Sequence, residues 1–304
     1  MFNAEYIKKK AHEFGATLCG IGDIKYYIGD NPQRNPLSIL PNAKCIIGIG
    51  VRVPSGLYKA MEYGNELYTY PTLCVKSIDE EYAEVLLLRM AGVIENEGYD
   101  ACTQRYIPGI RIQGDKTTNP EVSDTYELKF ASAVEPGKPV PDVIIDYEKA
   151  AWVCGLGEKG LHGKVITPNN YTFMRWSFII TDAPLECDEP LSEHLCDNCG
   201  ECIRACPGHA IDENGVDTWQ CSVYYKGAHK SNPYITDDFL KDDPEREAIL
   251  NGEKRFDAES ARKIYPKLNF LPKTQYGYVA CLCCKKCELA CRDHMKAKKE
   301  AQKS

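Results

Sequence analysis

The chain of 304 residues has no apolar run long enough to span a membrane, and its first ten residues lack the basic-then-apolar pattern of an export signal. Positive charge is also scarce, because 37 Lys and Arg face 44 Asp and Glu and the net charge is −7. These absences predict a cytoplasmic protein that uses no membrane and does not bind nucleic acid through bulk electrostatics.

Cysteine, in contrast, is abundant. Of 16 Cys, five are scattered over residues 1–186 and eleven lie in residues 187–304. Without an export signal, a disulfide framework is less favoured than cofactor binding in a reducing cytoplasm, as in an anaerobe or an oxygen-sensitive pathway.

Two cysteine runs indicate iron–sulfur clusters. The first has the spacing C-x2-C-x2-C-x3-C followed by Pro207, which is typical of bacterial ferredoxins, and the second repeats that spacing without the proline. Zinc ribbons also use C-x2-C pairs, but they do not need the longer run twice. The sequence therefore predicts two [4Fe–4S] clusters. The runs are Cys196, Cys199, Cys202 and Cys206, and then Cys281, Cys284, Cys287 and Cys291.

The fourth Cys of such a run normally ligates the other cluster. This rule assigns Cys291 to the first three Cys of the first run, and Cys206 to the second cluster with Cys284 and Cys287. Two residues compete for the remaining ligand position: Cys281 completes the second run, and Cys221 lies fifteen residues beyond Cys206. Spacing alone leaves this choice open.

The cysteine distribution and a Pro-marked polar stretch at 181–189 predict two domains, an α/β domain over 1–186 and a ferredoxin-like module over 187–304. In the first domain the pattern predicts a helix over 4–14 and buried strands at 45–53 and 176–181. A capping box at Ser77–Glu80 predicts a second helix ending near Gly98, with Tyr82, Val85, Leu86, Met90, Val93 and Ile94 on its apolar face.

Two irregular segments interrupt these domains. Residues 107–141 are rich in Gly, Pro, Thr and Asp and predict a long functional loop or lid. Residues 229–275 form a polar, acidic insertion in the second domain, and we interpret them as a solvated surface excursion packed by Tyr234, Phe239 and Leu240. The basic tail 296–303 predicts a solvated helix end.

The stretch Gly155-Leu156-Gly157-Glu-Lys-Gly160 matches the G-x-G-x-x-G of dinucleotide-binding proteins. That fingerprint requires a strand before it and a helix after it. Here a helix-like stretch, 147–153, precedes the glycines and a strand-like stretch follows them. The order excludes a Rossmann site and leaves a turn that packs against the core.

Three stretches and the cysteine runs resemble the cobalamin-dependent iron–sulfur reductases, namely the epoxyqueuosine reductases and reductive dehalogenases. The resemblance implies a nitroreductase-like first domain that binds a corrinoid against one cluster, without a protein cobalt ligand. It favours Cys221 over Cys281. It also places backbone and side chains of residues 155–164, named the glycine segment below, at the corrin. The stretches are Pro41–Gly50, Ala151–Pro168 and Ile179–Leu185, and the implied corrin contacts are Gly155, Leu156, Gly157, Gly160, His162, Gly163 and Lys164.

The same resemblance implies a proton donor. Asp142 keeps the Asp-to-Glu spacing of the epoxyqueuosine reductases, although the Ser/Thr and Pro of their motif are missing, and Tyr147 is the alternative acid by analogy with the dehalogenases. The plain alternatives are a capping Asp and a core-facing Tyr.

Because the chain ends soon after the second run, it resembles a short form of the family without C-terminal helical repeats. We therefore expect a small-molecule substrate undergoing dehalogenation or deoxygenation, no nucleic acid, and an external low-potential donor of the ferredoxin or flavodoxin type. Two alternatives remain: a non-catalytic electron carrier or activator protein, and a cobalamin-free relative that holds flavin or substrate over the clusters.

Overall fold

A computed structural model of the chain describes residues 1–64, 77–105, 132–268, 270 and 285–302, together with the backbone of 111–113 and 129–131. Among these residues no helix is long and apolar enough to cross a membrane. Most of the predicted lid at 107–141, Cys74, and the residues Cys281, Cys283 and Cys284 lie outside the described ranges.

A four-stranded antiparallel sheet forms the centre of the first domain, in the order β1-β2-β8-β3. Both buried strands predicted from the sequence, at 45–53 and 176–181, are confirmed. Ile47 pairs with Ile21 on one side and with Ile179 on the other. The strands are β1 (Leu18–Asp23), β2 (Cys45–Arg52), β3 (Ala101–Gln104) and β8 (Met174–Thr181).

Both faces of this sheet are covered, because alternate residues of its apolar strands point to opposite sides. Ile47 and Ile49 face a core shared with α1 and α3, whereas Ile46 and Phe178 face a core shared with α4. Helix α1 begins after Asn3, whose Oδ1 accepts from the backbone N–H of Tyr6 at 2.9 Å. The helices are α1 (Ala4–Glu13), α2 (Ser55–Glu62), α3 (Ala83–Glu95) and α4 (Tyr147–Val153).

Helix α3 differs from its prediction. Residues 77–82 form wider, π-type turns, and the regular α-helix begins at Ala83 rather than at the Ser77 capping box. Leu86, Met90 and Ile94 are buried as predicted, but the rest of the buried stripe differs from the prediction. Ala83 and Leu87 are buried, while Tyr82 and Val85 are exposed.

The second domain is built around α5, α6 and α9. The described part of the insertion packs more extensively than predicted. Phe239 and Leu240 pack as expected, whereas Tyr234 is exposed. Ile249 and Phe256 join Trp219 and Tyr224 of α6 in the same separate small core. Burial of these apolar side chains stabilises the helices of the acidic segment and packs them against α6. The elements are α5 (Glu201–Ala205), β9 (Ile211–Asp212), β10 (Gly215–Val216), α6 (Thr218–Tyr225), α7 (Arg246–Leu250), α8 (Ala258–Ile264) and α9 (Lys286–Ala301).

The remaining strands are short. Backbone pairing joins β4 and β5 in parallel, and β6 and β7 form a small hairpin at the glycine segment. Four 3-10 turns complete the described structure. The strands are β4 (Arg111–Gln113), β5 (Lys129–Ala131), β6 (Glu158–Lys159) and β7 (Val165–Ile166), and the turns are Ile24–Tyr27, Pro32–Arg34, Pro36–Ser38 and Tyr265–Lys267.

The segment that joins the two domains is fixed to the sheet edge. The Asp188 carboxylate accepts from the backbone N–H of Ile21 at 2.8 Å and pairs with Lys8, and the Asp188 N–H donates to the Ile21 carbonyl. The Trp152 indole N–H donates to the Leu191 carbonyl at 3.2 Å. The mixed α/β architecture is confirmed, whereas the nitroreductase-like character and the domain boundary stay predictions.

Candidate iron–sulfur site

The first cysteine run wraps around the start of α5. Asn198 and Gly200 both have positive φ, 55° and 76°, so the backbone enters the left-handed region twice just before α5. Cys202 then lies on α5, and Cys206 follows its last turn. This local geometry directs several thiols of one run toward a common point, as a cubane cluster requires.

Cys291 of the second run lies beside the first run. Burial, together with the charges of Cys196, Cys202 and Cys199, raises the pKa of the Cys291 thiol to about 12. Helix α9, which carries Cys291, packs against α5. The structure therefore brings together the four residues that cross-ligation assigns to one cluster.

A second set of thiols forms next to the first. Cys206 is buried with Ala210, and Cys221 of α6 and Cys287 of α9 pack against them. Burial raises the pKa of Cys287, and the nearby Glu288, Cys221 and Cys206 charges act in the same direction. Among the described residues, Cys221 is thus the thiol that joins Cys206 and Cys287.

Two carboxylates that the sequence analysis missed hold the first run in place. Glu158 of β6 accepts from the backbone N–H groups of Leu195 at 2.6 Å and Cys196 at 3.2 Å. Asp197 accepts from His294 and Lys298 of α9 at 3.0 Å each. The hydrogen bond from His294 and that from Lys298 lower the pKa of Asp197 to about 2.

Asp197 also lies within 4.8 Å of ligand atoms of both His294 and Cys199, as in a metal site. Because Cys199 belongs to the first thiol set and Asp197 is already paired with His294 and Lys298, we interpret this group as a contact that joins the first run to α9.

The basic tail is not simply solvated, since Lys296 and Lys299 lie over the Tyr171 ring.

Replacing Glu158 with glutamine should destabilise the protein by about 2 kcal/mol near neutral pH, because an amide cannot replace every hydrogen bond that the carboxylate accepts. Burial raises the pKa of Glu158, but hydrogen bonds from Cys196, His194 and Leu195 outweigh it and leave the pKa below 4.5. The contribution is therefore present above pH 4.5 and is lost as the pH falls through the lowered value.

Anaerobic thermal unfolding of the cluster-loaded proteins at several pH values would measure this difference. The gap between Glu158→Gln and the parent should be constant from pH 7 down to about pH 4.5 and should narrow below pH 4.5. A Glu259→Gln variant, which alters an exposed carboxylate of α8 paired with Lys263, is the control and should shift the midpoint little. A pH-independent gap would contradict the assignment.

The glycine segment packs against the chain itself. A Cβ on Gly157 would lie 2.4 Å from the Ile166 carbonyl oxygen, and one on Gly160 would lie 2.7 Å from Ile166 Cδ1. Gly155 and Gly163 have positive φ. A Cβ on Gly155 would lie nearest to Glu189, and one on Gly163 would lie nearest to Val216. Leu156 is buried in the core beside α4. At Gly157 and Gly160, the space that a Cβ would need is therefore filled by atoms of the chain itself.

The two candidate acids occupy different environments. Asp142 is exposed. Tyr147 is buried, its hydroxyl donates to the Arg105 carbonyl, and its ring packs on Phe178. The residue that caps α4 is Asp146, which accepts from the Lys149 N–H at 2.9 Å. Tyr147 thus has the contacts of a core-facing tyrosine, and the catalytic roles of both candidates stay predictions.

Comparisons with known proteins follow the same division of the chain. The family model described as a 4Fe-4S binding domain matches residues 190–212. An epoxyqueuosine reductase of Synechococcus sp. is 38% identical over 78 residues, which are 25% of this chain and 24% of that protein. The Bacillus cereus epoxyqueuosine reductase is 26% identical over 195 residues, which are 63% of this chain and 42% of that protein.

The chain is similar in sequence to epoxyqueuosine reductases. The family resemblance expected from the sequence is thereby confirmed, although the chain spans less than half the length of these relatives. A solved catabolic reductive dehalogenase has a similar fold, with a TM-score of 0.50 and 15% identity, covering 98% of this chain and 36% of that one.

The prediction that nucleic acid plays no part is wrong. The curated relatives are epoxyqueuosine reductases, and one such enzyme has been solved with an epoxyqueuosine-modified tRNA stem loop. Net charge was a poor guide because a local surface can bind nucleic acid on a protein that is acidic overall.

Proposed function

We propose that this protein is an iron–sulfur reductase in which two [4Fe–4S] clusters carry electrons from an external donor to a corrinoid, where an organic substrate is reduced. The observation that carries the proposal is the pair of thiol sets, one around Cys291 and one around Cys221. When bound, the clusters supply one-electron transfer and the corrinoid supplies a centre that can deliver electrons to carbon.

The thiol sets are arranged to hold the clusters close together. Cys202 and Cys206 lie four residues apart, at the end of α5, so one helical turn contributes a ligand to each set. Helix α9 does the same through Cys287 and Cys291. Two rigid helices therefore fix the separation between the clusters, which favours electron transfer between them.

The second set faces the first domain. Leu161 of the glycine segment packs against the group that contains Cys206, Cys221 and Cys287, and the Lys164 charge lowers the pKa of Cys221 while burial raises it. We therefore assign the second set to the cluster that is proximal to the reducing site. The first set is then, by elimination, the proposed entry point for electrons.

The substrate class follows from the relatives. They include epoxyqueuosine reductases, and the similar fold is that of a reductive dehalogenase, so we propose reductive removal of oxygen or halide. A modified nucleoside carried on tRNA is a substrate to be tested beside free small molecules. Asp142, which is exposed, is the proposed proton donor, because the Tyr147 hydroxyl is buried against the Arg105 carbonyl.

An electron carrier or activator protein is the second candidate. It is favoured by one observation: the described glycine segment is filled by the chain's own atoms at Gly157 and Gly160. In that function the clusters would be present, no corrinoid would bind, and the first domain would be a docking surface.

Iron and cobalt analysis separates these candidates. Protein purified without oxygen from cells supplied with cobalamin should contain about eight iron atoms and one cobalt atom per chain. About eight iron without cobalt, even after reconstitution with cobalamin, would contradict the corrinoid and leave the electron-transfer function. Fewer than about eight iron after cluster reconstitution would contradict both.

A further inference from the structure

His162 is a buried histidine with one ring nitrogen that needs a hydrogen-bond partner. The residue is 4% exposed, and its Nε2 atom has no hydrogen-bond partner among the residues that the structure describes. A buried ring nitrogen without a partner costs free energy, and most such groups in folded proteins are paired with protein, water or a cofactor.

The other ring nitrogen determines which atom carries the proton. His162 Nδ1 lies 3.2 Å from the backbone nitrogen of Lys164, which can act only as a donor. Nδ1 is therefore the acceptor, and the neutral ring carries its proton on Nε2. Burial also lowers the pKa of His162, which favours the neutral form. The group that lacks a partner is thus an N–H donor.

This donor lies beside the second thiol set. Leu161, the preceding residue, packs against the group in which Cys206, Cys221 and Cys287 meet Cys202 of the first set. The charges of Lys164, Lys285 and Glu288 act on both His162 and Cys221, which places His162 near the second set. The negative charge of Glu288, which follows Cys287 on α9, raises the pKa of His162, but burial lowers it by more. The Glu288 carboxylate is itself paired with Lys285 at 2.5 Å.

Gly160 makes this position possible. A Cβ on that residue would lie 2.9 Å from His162 Cε1, so the ring occupies space that only a glycine leaves open. The absence of a Cβ on Gly160 therefore allows the His162 ring to pack between the first domain and the second thiol set.

We propose that the Nε2–H of His162 donates a hydrogen bond to a sulfur of the cluster held by Cys206, Cys221 and Cys287, and so raises its reduction potential. The inference rests on the proposed clusters and deepens their assignment. The reduced cluster carries one more negative charge than the oxidised one, so a donor stabilises it more. His162 is a positioning and tuning residue in this scheme and takes no part in bond making.

A redox titration of the cluster-loaded protein, followed by electron paramagnetic resonance, tests the proposal. His162→Phe should reduce the equilibrium constant for reduction of one cluster about tenfold, which is about 59 mV for a one-electron couple, and leave the other unchanged. His162→Gln should largely restore the potential, because the glutamine amide can place an N–H near the same point. His12→Phe, which alters an exposed histidine of α1, is the control.

The outcomes separate this inference from the proposed function. If the parent protein holds fewer than two clusters, the proposed function fails. If His162→Phe keeps two clusters at unchanged potentials, the hydrogen bond is refuted while the function stands. If His162→Phe does not take up its clusters, the parent protein labelled with 15N-histidine provides the test by electron paramagnetic resonance. A coupling between a histidine nitrogen and one reduced cluster would support the hydrogen bond, and the absence of this coupling would refute it.

Discussion

Cys221→Ala should lose half of its iron, from about eight to about four atoms per chain, whereas Cys281→Ala should keep about eight. The structure supports the Cys221 half of this prediction, because Cys221 packs with Cys206 and Cys287. The Cys281 half rests on the family resemblance, since Cys281 lies outside the described residues. Removing one of four thiolates opens the cubane to solvent, and the other cluster is ligated by a separate set around Cys291. Iron and sulfide assays on anaerobically reconstituted protein measure the difference.

Cys102→Ala is the matched control, because Cys102 lies on β3 of the first domain and should not affect iron content. Cys291→Ala should also retain about four iron atoms, but it should lose the other cluster's signal. The reverse result, with iron lost from Cys281→Ala and kept in Cys221→Ala, would overturn the proposed ligand set.

Spacing predicted most of the cluster chemistry and left one choice open. The x2-x2-x3 runs imply cross-ligation because a short run cannot surround a cubane, and the structure places Cys291 beside the first run accordingly. Spacing could not select Cys221, because its position depends on how α6 packs. That packing comes from the small core around Trp219 and Phe256, which sequence analysis interpreted as a solvated insertion.

The sheet was predictable for a different reason. A continuous β-branched run such as 45–52 has few alternatives to a buried central strand. Helix α3 was placed less well, because its apolar residues are dense enough to define two overlapping stripes. Tertiary packing against β8 selected the stripe with Ala83 and Leu87, which no local signal distinguished.

Side chains that hold the cluster run were not predictable at all. Glu158 sits in a glycine-rich stretch whose letters match a dinucleotide fingerprint, and its role depends on residues 37 and 38 positions further along the chain. Likewise, the environment of His162 includes Glu288 of α9, 126 positions further along the chain. Contacts of such long range leave no periodic pattern in the sequence.

Gly157→Ala should destabilise the protein by about 3 kcal/mol, and this loss should not depend on any corrinoid. The added Cβ would lie 2.4 Å from the Ile166 carbonyl oxygen and 2.5 Å from Val165 Cγ1, so β6 and β7 could not keep their pairing. A backbone carbonyl in a hairpin cannot move aside as a flexible side chain can. Thermal or urea unfolding under anaerobic conditions would measure the change.

Gly92→Ala is the control, because Gly92 lies within α3 and a Cβ there meets nothing within 4 Å. That substitution should leave stability unchanged or raise it by up to about 1 kcal/mol, since alanine favours helix. If Gly157→Ala instead unfolds like the parent but no longer binds cobalamin, the glycines serve the cofactor and not the packing. A loss of stability in cobalamin-free protein would show that Gly157 is required for the packing of this segment.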